Sequence, residues 1–514
     1  GVFSMVAQAV LFRMHLTAFG GHEIGFGVFL ASWLAWIGAG AAMARRWPRA
    51  VVAVGRSLDR WLFAYLPLFI LQAVLLSQLR GILGTEEWLV PRIDALIWAT
   101  CLVNAPISLW TGFLFVAAVS ADPGPSPALG RVYTAEALGG LVGGLGATLV
   151  LTLGGDPLSV VLAASAVLGA PLALGARAAW REGRFAGRSL ALTRVLPLLA
   201  CALALGSGVG PRLSALEAGA RWERAFPGAQ LDRQLLTPEG ELLIGAREGA
   251  RLIVRDGRVA SAWPDREQSA TLAALLISQQ VDAERVFLSG DVAPAVALEL
   301  LALGGFQRVR VHHADAAYLD ACWAAAGIRP GSDERLEVSS GDPGAGLDRA
   351  DGKAPQGEPW DLVAILGGDP LRLVDNRAYS LEFIRLARSR MSPEGVLALR
   401  FSGGENYMDV ARVGLGGSLL RTARLVFAHD ALRPGDDSLL FLSDGPRLSE
   451  RAALLVGRLR RRDPGAALLP PEELYGAYLP GRIEAARAAY EASAWADVSQ
   501  LVNRALEPVS HLMS

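Results

Sequence analysis

Residues 95–120 read ALIWATCLVNAPISLWTGFLFVAAVS, a run of 26 residues that contains no charged side chain. As a helix this run would be about 39 Å long, whereas the hydrocarbon core of a bilayer is about 30 Å thick. A helix on the surface of a soluble domain would instead present a polar face. The stretch therefore predicts a helix that crosses a membrane.

Similar stretches lie on both sides of this run, within the first 210 residues. Each is largely apolar and about 20 residues long, which is the length that a spanning helix needs. Arg13 lies near one end of the first stretch, where a long side chain can reach the headgroup region. The sequence predicts a transmembrane helical bundle of about seven spans over residues 1–210, whose other members are residues 2–19, 24–44, 61–79, 132–154, 157–176 and 190–209.

The arginines of the loops predict how these spans are oriented. Alternate loops are rich in arginine, while the remaining loops carry only Arg80 and Arg92. Arginine-rich loops stay in the cytoplasm, so an odd number of spans places the segment after residue 210 on the opposite side. We therefore predict a multi-pass protein of a bacterial inner membrane with a periplasmic soluble domain. The arginine-rich loops carry Arg45, Arg46, Arg49, Arg56, Arg60, Arg131, Arg177, Arg181, Arg184 and Arg188.

The predicted span at 132–154 combines an acidic residue with a glycine-rich face. Gly139 and Gly143, and likewise Gly140 and Gly144, are small residues four apart, a spacing that lets another helix approach closely. Glu136 lies one turn earlier, and an acid within the membrane is often part of a proton or substrate pathway. The alternative is a carboxyl group near the interface that bonds to a neighbouring helix. The alternative is favoured, because no series of acids or histidines accompanies Glu136.

From Trp222 onwards the pattern changes to short apolar strands and helices. Residues 241–245 and 251–255 predict strands, and the Asp256-Gly257 pair after them is typical of a hairpin turn. Beyond a helix at 267–280, strands and helices alternate, which predicts a parallel, doubly wound, Rossmann-like sheet. We expect an α/β fold with a β-hairpin subdomain at 211–266, a Rossmann-like domain at 267–445 and a helical C-terminal appendage at 446–514.

The composition excludes several classes of function. The formal net charge is −1, so no basic surface for nucleic acid is indicated. The three cysteines form no C-x-x-C pair and are too few for a disulfide framework. The pair His312-His313 lacks further ligands at a recognisable spacing. We predict neither a metal site nor a nucleic-acid partner.

The order of these pieces resembles the spermidine synthase (polyamine aminopropyltransferase) family, in which a β-hairpin subdomain precedes a Rossmann-like sheet. It is most similar to those members in which a multi-spanning membrane region is fused to that domain. The span with Tyr133, Ala135, Glu136 and the glycines resembles a Tyr-Ala-Ala-Asp-Leu-Leu-Gly-type helix of these fusions. Residues 503–508 resemble their Asn-Thr-Asp-x-x-Pro stretch.

The resemblance implies a cofactor site at the ends of the strands, and this sequence departs from its motifs there. The family holds decarboxylated S-adenosylmethionine over a Gly-Gly-Gly-Asp-Gly loop, whose counterpart here is Gly290-Asp291-Val292-Ala293-Pro294. Only Gly290 remains, and close approach of backbone to a ligand depends on missing side chains. The acids expected for the ribose hydroxyls fall on His313 and Asp315, so the first is replaced.

The resemblance also implies a general base, which this sequence lacks. The third strand retains its Gly-Asp as Gly341-Asp342. The fourth strand of the family ends in Asp-x-x-Asp-Pro, and its first aspartate deprotonates the attacking amine. Here that position is Leu366, which cannot accept a proton, and Asp369 occupies the second position.

These departures lead to two main hypotheses about function. The first is a catalytically inactive, spermidine synthase-like protein without a cofactor, which acts as a binding or scaffold subunit of a larger complex in the lipid bilayer. The second is a divergent aminopropyltransferase or methyltransferase that uses S-adenosylmethionine, or its decarboxylated form, with Asp315, Asp342 and Asp369. Transport through the bundle is a third hypothesis, but no internal repeat supports it.

Overall fold

A computed structural model of the protein describes residues 1–18, 23–79, 93–122, 124, 127–181, 199–237, 239–348, 358–370, 373–404 and 408–493. The chain divides into two compact units. The first contains residues 1–247 and 254–258, and the second contains residues 248–253 and 259–514. The predicted stretch at 503–508, Arg80, Arg92, Arg184 and Arg188 lie outside the described residues.

The first unit begins with a series of helices, as the apolar stretches predict. Their bounds are α1 Val2–Ala18, α2 Glu23–Arg46, α3 Pro48–Gly55, α4 Leu58–Trp61, α5 Tyr65–Ser77, α6 Ile93–Ala121, α7 Ala128–Thr152, α8 Pro157–Arg181, α9 Leu199–Gly206 and α10 Val209–Ala225.

In the described part of the chain, three helical segments are long and apolar enough to cross a membrane. They lie in α2, α6 and α7. The pair α9 and α10 would be a fourth span if it is counted as one helix bent by 66°. Three more of the predicted stretches contain the shorter apolar helical segments Val2–Thr17, Leu62–Ser77 and Pro157–Gly169. The seven-span count stays a prediction, because residues 190–198 of the last predicted stretch lie outside the described residues.

Small residues and buried amides join the helices of this unit. A Cβ on Gly40 would lie 2.1 Å from the Leu109 carbonyl oxygen, and one on Gly112 would lie 2.0 Å from that of Ile37, so α2 and α6 pack backbone to backbone. The Asn104 amide accepts a hydrogen bond from Gln72 at 3.0 Å and donates one to the Phe29 carbonyl at 2.8 Å. These buried bonds link α2, α5 and α6.

A sheet of order β1-β2-β3-β4 follows, with four strands among the described residues. Their bounds are β1 Gln230–Thr237, β2 Gly240–Arg247, β3 Ala250–Arg255 and β4 Arg258–Trp263. The predicted turn between β3 and β4 has positive φ angles at both Asp256 and Gly257, as a type I′ hairpin turn requires. No apolar pattern predicts β1, which pairs antiparallel with β2.

The described residues of the second unit contain a seven-stranded sheet of order β10-β11-β9-β8-β5-β6-β7. Strands β7, β6, β5, β8 and β9 are parallel, whereas β11 runs antiparallel to both β9 and β10. The prediction of an all-parallel sheet is therefore wrong for β11, which lies next to the last strand on one side of the sheet. The bounds are β5 Arg285–Ser289, β6 Arg308–His313, β7 Leu336–Ser340, β8 Trp360–Ile365, β9 Met391–Ser402, β10 His429–Arg433 and β11 Asp437–Ser443.

The helices of this unit cover the sheet and bury two apolar clusters against it. Short strands such as β5 are almost fully buried, as expected for strands of a parallel sheet that is covered on both faces. The helices are α11 Arg266–Gln279, α12 Ala293–Leu303, α13 Ala316–Ala326, α14 Pro343–Asp348, α15 Leu373–Asn376, α16 Leu381–Ser389, α17 Val410–Arg424, α18 Ala452–Arg462, α19 Leu474–Ala477 and α20 Pro480–Glu491.

Candidate functional site

The strand order of the seven-stranded sheet defines where a ligand would bind. Strand β5 lies between β6 and β8, so the chain leaves the centre of the sheet in opposite directions on its two sides. Ligands of open α/β sheets bind at such a point, outside the carboxyl ends of the strands. The loops that follow β5, β6, β7 and β8 carry Gly290, Asp315, Asp342 and Asp369. The topology therefore gathers the predicted site residues at one edge of the sheet.

Gly290 is held against the end of β8 by backbone contacts. Its φ angle is +119°, and a Cβ there would lie 2.1 Å from the Gly367 nitrogen and 2.5 Å from the Leu366 carbonyl carbon. The Gly290 amide donates to the His312 carbonyl oxygen at 3.2 Å. This contact alone requires glycine at position 290, whether or not a ligand is bound.

The His313 side chain occupies the carboxyl end of β6. Its Nε2 lies 3.0 Å from the Asp291 carboxylate, and its Nδ1 accepts a hydrogen bond from the Asp315 amide at 3.0 Å. The ring stacks on Tyr318 with centroids 4.3 Å apart, and Tyr318 donates to the Asp291 carbonyl oxygen at 2.8 Å. His313 is 3 % exposed. Side chains therefore fill the edge where the resemblance implies a ribose.

The two neighbouring acids contribute to loop geometry. Asp315 caps α13, since its carboxylate accepts the Ala317 amide at 2.9 Å. Asp342 accepts the Gly344 amide at 2.9 Å and pairs with Arg377 at 3.1 Å. The Asp342 side chain is 48 % exposed, so its carboxylate faces solvent at the end of β7.

The residues after β8 offer no exposed base at the predicted position. Leu366 is fully buried and belongs to the apolar core. The Asp369 carboxylate accepts a hydrogen bond from the Ser402 amide at 2.7 Å. The Tyr379 hydroxyl donates to the Arg400 carbonyl oxygen at 2.7 Å. Asp369 thus links the loop after β8 to the end of β9.

Sequence reasoning missed a polar group beside this edge, around Cys322. Its sulfur lies 3.9 Å from the Ser261 hydroxyl, to which Trp263 donates at 3.2 Å. Burial raises the pKa of the Cys322 thiol to about 12, so the thiol stays protonated at neutral pH. No sequence motif marks this residue, and its chemistry is that of a buried structural thiol.

His312, one of the two adjacent histidines of the sequence, joins β6 to β7. Its Nδ1 lies 2.9 Å from the Ser339 hydroxyl, and its Nε2 lies 3.0 Å from the Gly341 carbonyl oxygen. Burial lowers the pKa of His312 to about 4 despite the hydrogen bond to Gly341. Across the described residues, no three histidine, cysteine or acidic side chains are grouped to hold a metal ion.

The low pKa of His312 predicts acid sensitivity. Because the folded-state pKa lies below the unfolded value of 6.5, the unfolded chain binds one more proton between pH 6.5 and about 4. The free energy of unfolding has its full value above pH 6.5, and it falls by up to about 3 kcal/mol as the pH is lowered toward 4. The melting temperature of His312→Gln should therefore decrease less over this pH range than that of the wild-type protein. The exposed His429 provides the matched control, because a pH curve flattened as much in His429→Gln as in His312→Gln would contradict this account.

The predicted membrane site lies on α7. The Glu136 side chain is 42 % exposed and lies 2.8 Å from the Gly1 nitrogen. A Cβ on Gly143 would lie 2.6 Å from the Val2 carbonyl oxygen, and one on Gly139 would lie 3.1 Å from the Val2 nitrogen. These two glycines face the first turn of α1, whereas Gly140 and Gly144 face the Met5 side chain.

No family model and no curated protein matches this sequence. Among solved structures, spermidine synthase from Thermotoga maritima is 13 % identical, with a TM-score of 0.39 over 51 % of this chain and 88 % of its own. A probable spermidine synthase from Corynebacterium glutamicum is 14 % identical, with a TM-score of 0.36 over 49 % and 95 %. Human methyltransferase-like protein 13, solved with SAH, is 16 % identical, with a TM-score of 0.31 over 40 % and 92 %. The chain itself has a helical N-terminal region followed by an α/β domain. The mixed sheet of that domain has a Rossmann-like strand order.

Proposed function

We propose that this protein is a membrane-anchored, spermidine synthase-like protein that has lost transfer chemistry and acts as a binding or scaffold subunit of a membrane complex. The observation that carries the proposal is the His313 ring, buried between Asp291 and Tyr318 at the end of β6. A nucleoside at this edge would have to displace a side chain whose two ring nitrogens both have partners. In this proposal the protein's own side chains occupy the nucleoside site.

Loss of the proton acceptor supports the same conclusion. Aminopropyl transfer needs a neutral amine, and removal of a general base typically lowers the rate by about 10²–10⁴-fold. Leu366 occupies the base position and lies in the apolar core, while Asp369 bonds to the Ser402 amide. The chain therefore lacks the base together with most of the glycine loop.

The apolar surface of α7 supports the membrane anchor. Leu138, Leu141, Val142 and Leu145 are each 58–65 % exposed on this 25-residue helix. Water would penalise such a surface by roughly 25 cal/mol per Å², whereas lipid chains would not. The helix is also long enough for the hydrocarbon core. A bacterial inner membrane with the α/β domain in the periplasm fits the arginine distribution.

One observation favours the second candidate, a divergent transferase that uses S-adenosylmethionine or its decarboxylated form. The Asp342 carboxylate is half-exposed at the carboxyl end of β7. Aminopropyl or methyl transfer would then rely on Asp342 and Asp369 around a displaced His313. The two candidate functions differ in whether the purified protein catalyses group transfer.

A turnover assay tests the proposal. The full chain, purified in mild detergent, is incubated with decarboxylated S-adenosylmethionine and putrescine, or with labelled S-adenosylmethionine and a panel of amines. We expect no product above a blank without protein. Product that decreases in Asp369→Asn would contradict the proposal. For the complex, native mass spectrometry of particles from native membranes should give a mass above that of the same chain after denaturation; the single-chain mass alone would count against a scaffold role.

A further inference from the structure

Residues 45–60, here called the basic segment, carry an excess of positive charge. They read RRWPRAVVAVGRSLDR, with five arginines and one aspartate, so the net charge is five minus one, or +4. All five arginine side chains are exposed, and in the described part of the chain none of them forms an ion pair with a carboxylate. They belong to Arg45, Arg46, Arg49, Arg56 and Arg60. The segment therefore presents cationic groups that the protein itself does not pair.

The basic segment begins at the point where two predicted spans end on the same side. The Asn104 amide of α6 donates a hydrogen bond to the Ser32 hydroxyl of α2 at 2.9 Å. Further along both helices, a Cβ on Gly112 would lie 2.9 Å from the Ala41 nitrogen. Because the two contacts occur in the same order along both helices, α2 and α6 run parallel. The spacing places the end of α2 within about one turn of the end of α6.

Helix α3, which forms the middle of the basic segment, packs on the last turns of α6. A Cβ on Gly55 would lie 3.1 Å from the Ala121 Cβ and 3.2 Å from the Ala117 carbonyl oxygen. The buried side chains of α3 are Val51 and Val54. The segment is thus held against the end of a helix that is long and apolar enough to cross a membrane. With α6 as part of the membrane anchor, the segment lies at the bilayer surface.

Exposed apolar side chains are interspersed among the arginines. Trp47 is 55 % exposed, Val52 is 49 % exposed and Trp61, which directly follows the segment, is 44 % exposed. Tryptophan is enriched at the boundary between membrane and water, where its ring contacts acyl chains and headgroups together. Arginine can likewise place its methylene groups on apolar surface while its charge stays in the headgroup region. This combination at the end of two spans fits a lipid surface better than a dissolved anion.

We propose that the basic segment is a docking surface for the headgroups of anionic phospholipids in the surrounding bilayer. Basic clusters next to a transmembrane helix attract acidic lipids, and each arginine near the surface strengthens binding by roughly fivefold. The planar guanidinium also donates two parallel hydrogen bonds to a phosphate. Lipid docking here rests on the membrane anchor proposed above, but it does not depend on the loss of transfer chemistry.

Native mass spectrometry of the full chain, incubated in detergent with equal amounts of phosphatidylglycerol and phosphatidylcholine, tests this docking surface. We expect preferential retention of phosphatidylglycerol. The variant Arg45→Gln/Arg46→Gln/Arg49→Gln should weaken that retention by about tenfold or more, without a change for phosphatidylcholine. The matched control removes three exposed arginines of the second unit and should retain phosphatidylglycerol as the wild-type protein does. It is Arg329→Gln/Arg385→Gln/Arg461→Gln.

Several results would overturn the proposal. They are equal retention of the two lipids by the wild-type protein, equal loss in the two triple variants, and displacement of phosphatidylglycerol by an equal concentration of glycerol phosphate or of an oligouridylate. The last two would assign the arginines to a dissolved phosphate or to nucleic acid.

A carbonate wash of native membranes separates this failure from failure of the anchor. Release of the wild-type chain at alkaline pH would contradict the anchor, and the docking surface with it. A chain that stays in the washed membranes but retains both lipids equally would contradict the docking surface alone.

Discussion

Replacement of Gly290 by alanine is expected to destabilise the α/β unit by more than about 3 kcal/mol. The added Cβ would lie 2.1 Å from the Gly367 nitrogen, and the residue would have to keep a φ angle of +119°. Backbone strain of this kind costs about 1–3 kcal/mol, and overpacking of a rigid site costs a similar amount. Thermal unfolding of the full chain should show a melting temperature roughly 6–12 °C lower.

Two matched variants separate the causes of that loss. Gly331 also has a positive φ, +90°, but a Cβ there would have no atom within 4 Å, so Gly331→Ala measures backbone strain alone. Gly367→Ala tests the other side of the same contact, where a Cβ would lie 3.9 Å from the Gly290 Cα. We expect both variants to melt well above Gly290→Ala. Three similar melting temperatures would show that the close contact between β5 and β8 is absent.

The second large effect is expected from the buried ion pair of the first unit. Arg221→Met should destabilise the protein by about 3–5 kcal/mol, because it leaves the Glu241 charge buried without its bidentate partner. The Glu241 side chain is 6 % exposed. Burial alone would raise the pKa of Glu241, yet the charge and hydrogen bonds of Arg221 hold that pKa below its ordinary value. Thermal unfolding in detergent measures the change.

A double variant shows whether the pair acts as a unit. Arg221→Met with Glu241→Leu removes both charges, so it should cost less than Arg221→Met alone. Arg412→Met is the exposed control, since Arg412 and Asp409 are 3.9 Å apart and about half-exposed. Such a surface pair contributes at most about 1 kcal/mol. A double variant as unstable as the sum of the two single variants would contradict coupling between Arg221 and Glu241.

The strands that the sequence predicts are those whose own residues are apolar. Residues 285–289 and 360–365 are such strands, and they form β5 and β8 as expected. Strand β10 at His429–Arg433 is mostly polar, and its structure depends on antiparallel pairing with β11. Strand β1 is likewise polar along Gln230–Thr237 and depends on β2. Hairpin pairing with the following, more apolar strand decides these two strands, so the polar pattern of their own residues does not reveal them.

Some features of the candidate site could likewise be predicted from the sequence, and others could not. The buried position of Leu366 follows from the apolar run of β8, and the sequence already excludes it as a base. The filling of the carboxyl end of β6 by side chains does not follow from any local pattern. It depends on Asp291, His313 and Tyr318, which lie on different elements and meet only in the folded sheet. The sequence indicates that the acid is replaced, and the structure identifies the side chains that occupy the space.

Equilibrium dialysis of S-adenosylmethionine and of its decarboxylated form, against the full chain in detergent, tests the closed edge most directly. We predict no saturable binding of either nucleoside at concentrations up to about 1 mM, a Kd that corresponds to about −4 kcal/mol. Micromolar binding that is lost in Asp342→Ala would contradict it, because a seated nucleoside requires that the His313 side chain has left the end of β6.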